Sequence, residues 1–346
     1  MTEEPLLRVE NLVKHYTVDD EMTGRHDGAV LRAVDGVSFQ LAVGETLGLV
    51  GESGCGKSTL AQTLLRLVEP TSGHVYYRGQ DVYSMSRREL KDFRKKVQVV
   101  FQDPFESLNP RKTVGQIIAE PWTIHRGMVP RGQWRSRAAE LLELVGLHPQ
   151  HLDRYPGQFS GGQRQRIGIA RAVAVEPDLL ICDEPVSALD VSVQAQILNL
   201  IQDIQDELGL GIIFISHDLG VVRHVADQIG VMYLGKMMEY GAEADVFERP
   251  RHPYTEALIS SVPVSRTERE TSPQRRILAG DLPSPVNPPS GCRFRTRCWQ
   301  AVDNCADQEP EIGTHDVDES SQVACHFPAS SKTMSHDLLL GPNHKR

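Results

Sequence analysis

No stretch of this chain approaches the ~18 to 20 consecutive apolar residues that a bilayer-spanning helix needs, so the sequence offers no transmembrane segment. The opening MTEEPLLRVE carries acids where a secretory signal carries bases, and no long apolar stretch accompanies it. A cytosolic location, or attachment to a membrane only through partners, is therefore expected. Positive charge is not in excess either. The formal net charge of −9 argues against a broad phosphate-binding face for DNA or RNA, while leaving local basic patches open. Sustained heptads are missing, and so are the close C-x2-C pairs of common structural zinc sites. What remains is 346 residues of ordinary globular composition, enough for one large α/β domain plus an appendage.

What is present centres on LGLVGESGCGKSTL, Leu47 to Leu60. Gly51, Gly56, Lys57 and Ser58 fit the G-x-x-x-x-G-K-[ST] phosphate loop, with an apolar strand before it and a helical pattern after it. Gly51, Gly54 and Gly56 let the backbone curl so that N–H groups point inward at phosphate oxygens, and the new helix adds its positive end there. Lys57 is placed to reach the β- and γ-phosphates and the Ser58 hydroxyl to bind Mg²⁺. The candidate nucleotide-binding set is Gly51, Ser53, Gly54, Cys55, Gly56, Lys57, Ser58 and Thr59. The pattern occurs once.

Ahead of the loop, short strands are predicted at 6–9, 30–34, 37–41 and 46–50, with a polar surface loop over 19–28. Tyr16 can stack on adenine or pack on a sheet; the residues leave both open. Beyond the loop, helices are predicted over 59–68, 113–125, 131–146 and 164–175, and strands from Val75 to Tyr77 and over 97–101. The strand at 97–101 ends on Gln102, which can help hold a metal or an attacking water, or be an ordinary strand end. Ser160-Gly161-Gly162-Gln163 opens a helix and forms a second anion-seeking helix N-terminus. The buried run Leu179 to Cys182 delivers Asp183 and Glu184 to its C-terminal edge, one suited to Mg²⁺ and the next to orienting a water against the γ-phosphate. A further strand, 212–215, ends at His217, either a site residue or a turn residue. Strand–helix alternation from 47 to 233 implies a mostly parallel sheet covered by helices. Strands over 229–233 and 236–240, a helix over 253–261 and a connector over 263–290 complete the reading.

Taken in order, these motifs resemble the nucleotide-binding subunit of ABC transporters over roughly residues 6 to 250, with Ser160-Gly161-Gly162-Gln163 and Ser187 to Asp190 as the distinguishing marks. The resemblance implies a P-loop ATPase fold with a mostly parallel central sheet, an antiparallel β subdomain, a helical subdomain at about 103–175, and an extension at 251–346. It implies that two such domains face head to tail, each ATP lying between one phosphate loop and the other chain's signature helix. It further implies that Tyr16 stacks on adenine, Gln102 contacts Mg²⁺ and relays to membrane subunits, Glu184 is the general base and His217 senses the γ-phosphate. QDPFESLNPR at 102–111, Arg251-His252-Pro253-Tyr254-Thr255 and the cysteine-containing tail narrow the resemblance to the peptide and nickel importer branch. The partners implied are a second, non-identical ATPase subunit, two transmembrane permease subunits and, indirectly, an extracytoplasmic peptide-binding protein, with the chain peripheral on the cytoplasmic membrane face. Short peptides lead as cargo; nickel complexes are the alternative. An exporter, or a soluble ABC ATPase acting on ribosomes or DNA, is a rival.

Cys292, Cys298, Cys305 and Cys325 are spaced C-x5-C-x6-C-x19-C. Four thiolates suit a [4Fe-4S] cluster, with Arg293, Arg295 and Arg297 offsetting its charge, and similar tails in this importer branch are associated with one. Zn²⁺, with His326 or His315 replacing a cysteine, and unliganded thiols are the alternatives.

Overall fold

In chain order the strands are β1 (Leu7–Asp20), β2 (Arg25–Leu41), β3 (Thr46–Val50), β4 (Ser72–Tyr77), β5 (Gln80–Asp81), β6 (Val97–Val100), β7 (Leu179–Asp183), β8 (Gly211–Ser216), β9 (Gln228–Tyr233), β10 (Lys236–Ala242) and β11 (Gln322–Val323). They come from a computed structural model, which describes residues 4–20, 25–102, 107–262, 276, 278, 280–313 and 321–329. One sheet has the order β2-β1-β4-β5 and is antiparallel throughout. The other has the order β11-β10-β9-β3-β8-β7-β6, in which β9, β3, β8, β7 and β6 run parallel and β10 pairs antiparallel with both β9 and β11. The mostly parallel central sheet and the antiparallel β unit are thus as expected.

The central strands read as continuous apolar runs because both faces are covered. Side chains alternate between faces. On β8, Ile212 and Phe214 join a core shared with the helices Gly161–Val173 and Val191–Leu208, whereas Ile213 and Ile215 join one shared with the antiparallel sheet and the helix Lys57–Leu64. Asp178, just before β7, ties the layers together by accepting from Tyr77 Oη at 2.6 Å and Lys96 Nζ at 2.9 Å. The two cations and the hydroxyl around it outweigh the upward push of burial and hold its carboxyl below the usual range.

Several boundaries differ from expectation. The stretch 19–28 is not all loop: β1 runs to Asp20 and β2 starts at Arg25, because hairpin pairing satisfies backbone groups whatever the polarity of the side chains. The strands expected at 30–34 and 37–41 form one 17-residue strand with Gly36 at φ +83° inside it. The helix expected over 113–125 is two, Val114–Ile118 and Glu120–Ile124, since Pro121 cannot donate back along the helix. The helix at 131–146 begins as a 3₁₀ turn and is α-helical over Trp134–Leu144. Helix Pro253–Ser261 has its expected ends. Residues 103–106 of the QDPFESLNPR stretch, His315, and 263–275 of the connector lie outside the described residues.

Candidate active site

Parallel pairing brings four strand ends to one edge. Val50 is level with Ser216, Asp183 with Ile215, and Val100 with Cys182. The residues next along each chain are the phosphate loop, His217, Glu184 and, two positions past Val100, Gln102. Ligands of open α/β sheets bind at this edge.

The phosphate loop turns directly into the helix Lys57–Leu64, whose N-cap is Gly56 at φ +109°. A Cβ at Gly56 would lie 2.0 Å from the Ala33 carbonyl oxygen, so strand β2 leaves room only for glycine. Lys57 is buried, and its Nζ donates to the Gly51 carbonyl at 2.7 Å and the Glu52 carbonyl at 3.2 Å. Ser53, Gly54 and the run Gly56–Thr59 line a cleft of about 240 Å³, together with Leu31, Gln102 and Glu184. Cys55 points into the core instead; burial raises its thiol pKa, and its carbonyl accepts from the Gly235 N–H at 2.8 Å. Tyr16 pairs across the sheet with Leu31, and the Lys14 ammonium sits 4.6 Å from its ring centre. Tyr16 thus lies on the strand next to the one whose Leu31 lines the cleft.

Ser58 Oγ donates to Asp183 Oδ1 at 3.2 Å. Burial pushes the Asp183 carboxyl up, with the Glu184 charge adding to it, against the Ser58 hydrogen bond and the Lys57 charge. A cation between the two oxygens would relieve that, and a hydroxyl plus a carboxylate is the hard oxygen set that Mg²⁺ takes. Glu184 holds an αL backbone, φ +46°, fixed by its N–H donating to the Ile215 carbonyl at 2.9 Å and by Ser187 Oγ donating to its own carbonyl at 3.1 Å. Its Oε2 accepts from Gln102 Nε2 at 3.0 Å and lies 3.3 Å from His217 Nδ1. Strained backbone over-determined by its neighbours is a mark of functional positions. A carboxylate oriented by an amide and an imidazole beside a phosphate loop can align a water and accept its proton.

The ABC transporter family matches residues 34–187, and the family described as "Oligopeptide/dipeptide transporter, C-terminal region" matches residues 238–305. The chain is 52% identical over 326 residues to the oligopeptide transport ATP-binding protein AppF of Bacillus subtilis (strain 168), covering 94% of this chain and 98% of that one. It is 50% identical over 304 residues to the oligopeptide transport ATP-binding protein OppF of Haemophilus influenzae, covering 88% and 90%. Among solved structures it is similar to the ATP-binding cassette MJ0796 bound to ADP and Pi in a dimeric post-hydrolysis state, with TM-score 0.60 and 29% identity over 68% of this chain and 98% of that one. It is also similar to cbiO1 from Clostridium perfringens, part of the transporter complex cbiONQ, with TM-score 0.60 and 28% identity over 71% and 92%. This chain belongs to the ATP-binding subunits of ABC transporters.

In this ABC subunit the signature residues form a capping box: Ser160 Oγ accepts from the Gln163 N–H at 3.4 Å, and Gln163 Oε1 accepts from the Ser160 N–H at 3.1 Å. The Gln163 side chain thus serves its own helix. A Cβ at Gly162 would lie 2.4 Å from Val193 Cγ1, so glycine lets the signature helix press onto the helix Val191–Leu208. Among the described residues, none of residues 160–163 lines the phosphate-loop cleft. One chain carries both anion-seeking helix ends but does not join them.

The sequence reading missed three residues around the ABC phosphate loop. Glu52 carries a carboxylate bridged by Arg297 Nη1 at 2.6 Å and Nη2 at 3.0 Å, and its N–H donates to Tyr254 Oη at 3.0 Å. Tyr254 lies in the Arg251–Thr255 segment, which buried Glu239 holds by accepting from the Arg251 and His252 N–H groups at 2.9 and 3.0 Å. That segment, noticed only as a mark of kinship, is a strut. Arg293 pairs with Asp35 and the Leu234 carbonyl, and Arg295 with the Ser290 carbonyl at 2.9 Å. These arginines have partners of their own, which accounts for a charge pattern first read as compensation for a cluster.

Burial pushes the Cys292 and Cys325 thiols up to about 11, and the charges of the other tail cysteines add to the push on Cys325. Cys292 and Cys305 are joined by a 2.8 Å backbone hydrogen bond. Among the described residues, no group of three His, Cys, Asp or Glu side chains is placed to hold a metal ion, so the expected [4Fe-4S] or Zn²⁺ centre has no formed cage here. His326 Nε2 instead lies 3.0 Å from the Gln308 carbonyl. Among the described residues no helix is long and apolar enough to cross a membrane.

Proposed function

We propose that this chain energises the import of short peptides, clamping on ATP with a second ATPase subunit and transmitting closure to two permease subunits. The observation that carries this is the meeting of Gln102, Glu184 and His217 beside the Ser58–Asp183 pair at the mouth of the phosphate loop. Lys57 binds the β- and γ-phosphates, exchanging its loop carbonyls for phosphate oxygens. Ser58, Asp183 and Gln102 hold Mg²⁺, which when bound neutralises phosphate charge. Glu184 aligns water and takes its proton, and His217 contacts the γ-phosphate. Tyr16 stacks on adenine. The partner's signature Ser160 to Gln163 completes the site, in keeping with the two anion-seeking ends that one chain keeps apart.

Cargo class is supported by the relatives' names and by the match of residues 238–305. For permease contact we favour the groove of about 960 Å³ that runs past Gln102, with exposed Phe101 and Ile124 on its walls. Such a surface suits a short amphipathic segment, and one residue then belongs to both the groove and the catalytic group. Pull-down of the full chain in mild detergent is expected to bring down permease subunits and a second ATPase. Recovery of ribosomes or DNA in their place would sink the transport reading.

From their number and thiol chemistry we infer that the tail cysteines would be the ligands of a [4Fe-4S] cluster, for which the four would have to draw together from the arrangement described here. Iron content and visible absorption of anaerobically purified protein test this. A colourless protein carrying stoichiometric zinc would overturn it.

A further inference from the structure

We propose that Arg297 is a positioning residue for nucleotide binding: it neutralises and holds Glu52 inside the phosphate loop, so that the C-terminal region governs the loop's affinity for the triphosphate. This rests on the reading of the loop as the ATP site.

The phosphate-loop pattern asks nothing of the side chain that follows its first glycine; the loop works through backbone N–H groups. A carboxylate there is a liability, because it adds a negative charge to the loop whose backbone is read as holding a polyphosphate. Here the charge is matched by a two-pronged guanidinium contact, and the Arg297 side chain is only 7% exposed. The Glu52 hydrogen bond comes first among the causes that raise the Arg297 pKa. A fork of this kind fixes direction as well as charge.

Every polar group of Glu52 is engaged. Its carboxylate meets Arg297, its N–H meets Tyr254, and its carbonyl accepts from Lys57 Nζ at 3.2 Å and from the Cys55 N–H at 3.2 Å. Glu52 therefore supplies one of the two carbonyls that hold Lys57, and its N–H shares a peptide with the other, that of Gly51. The backing is stiff. Tyr233, Tyr254 and Phe294 pack with ring centres 4.8 to 5.4 Å apart, and all three are buried. Phe294 stands three residues before Arg297, and the Arg297 N–H donates to the Phe294 carbonyl at 2.9 Å. The aromatic cluster and the guanidinium thus approach the loop as one piece.

The sign of the effect separates this role from a merely structural one. Arg297→Met, which keeps the packing stem but removes the charge, is expected to raise the Kd of the full chain for Mg·ATP about fivefold to tenfold, the scale of one uncompensated charge near a charged ligand. In steady state KM is expected to rise likewise while kcat stays within about twofold, since the contact does not depend on the transition state. Glu52→Gln alone strands the guanidinium's positive charge instead, and is expected to lower the Kd for Mg·ATP rather than raise it. Adding Glu52→Gln to Arg297→Met restores affinity, because the stranded carboxylate is gone while the Tyr254 hydrogen bond remains. Binding of Mg·ATP by Arg297→Met with unchanged Kd would refute the proposal, and so would a double variant as weak as Arg297→Met alone. Failure of the unmodified chain to bind Mg·ATP strikes instead at the site reading on which the proposal stands.

Discussion

Ser58 Oγ and Asp183 Oδ1 lie 3.2 Å apart although 125 positions separate them in the chain. The pair joins the first turn of the helix after the phosphate loop to the end of strand β7. Its oxygens form the hard-ligand pair of the proposed Mg²⁺ site, and its geometry rests on the parallel register of β3, β8 and β7.

Asp183→Asn removes the charge while keeping the shape and a hydrogen-bond acceptor for Ser58. The Mg²⁺ concentration needed for half-maximal ATPase is expected to rise at least about tenfold, the scale on which even outer partners of metal ligands act. Titration of Mg²⁺ at fixed ATP checks this. An unshifted midpoint would remove Asp183 from the site.

Glu184→Gln keeps the side chain's size and a partner for Gln102 but cannot accept a proton. Turnover is expected to fall roughly 10²- to 10⁴-fold with ATP binding retained. Equilibrium binding alongside multiple-turnover phosphate release separates the two effects, and normal turnover in this variant rules out Glu184 as the base.

Gly162→Val would drive a side chain into Val193, whose Cγ1 already lies 2.4 Å from where a Cβ would stand. Overpacking of this kind costs about 1–3 kcal/mol, read as a lower melting temperature. Adding Val193→Ala is expected to recover part of that stability. Equal melting temperatures for the unmodified and Gly162→Val chains would mean that the two helices are not packed this closely.

His252 and Glu239 bear on acid stability with opposite signs. Full burial pushes His252 down to about 3 from 6.5, so the unfolded chain takes up a proton that the folded chain refuses, and stability falls as pH drops through that window. Burial pushes Glu239 up to about 7 from 4.5, so the folded chain keeps a proton that the unfolded chain releases, and stability rises as pH drops from 7 to 4.5. Each slope is at most ~1.4 kcal/mol per pH unit. His252→Asn retains an acceptor for the Tyr254 N–H and removes the first slope. Relative to the unmodified chain, its melting temperature is expected to climb as pH falls from 6.5 toward 4.5. Melting curves that shift in parallel would show that His252 is not buried neutral.

The phosphate loop was legible because its chemistry is contiguous: glycines, a lysine, a serine and a helix start within eight residues. Signature, Asp183-Glu184 and His217 could each be recognised, and apolar runs placed them at strand or helix ends. Element boundaries were less legible. Pro121 divides a stretch that periodicity reads as one helix, and hairpin pairing draws the polar ends of β1 and β2 into a sheet. The Arg297–Glu52 pair left no local trace, for an arginine beside a cysteine looks the same whether it faces sulfur or a carboxylate.

By itself the sequence determined that this protein has a phosphate loop, a signature helix end and carboxylates at strand ends, since backbone curl, helix capping and strand burial depend on neighbours a few residues away. Tertiary structure alone decided that Gln102, Glu184 and His217 share one point, and that residues 202 and 245 positions further along the chain, Tyr254 and Arg297, close on Glu52. Such contacts follow from strand register and from the packing of buried rings, and both come into being only when distant segments are brought together.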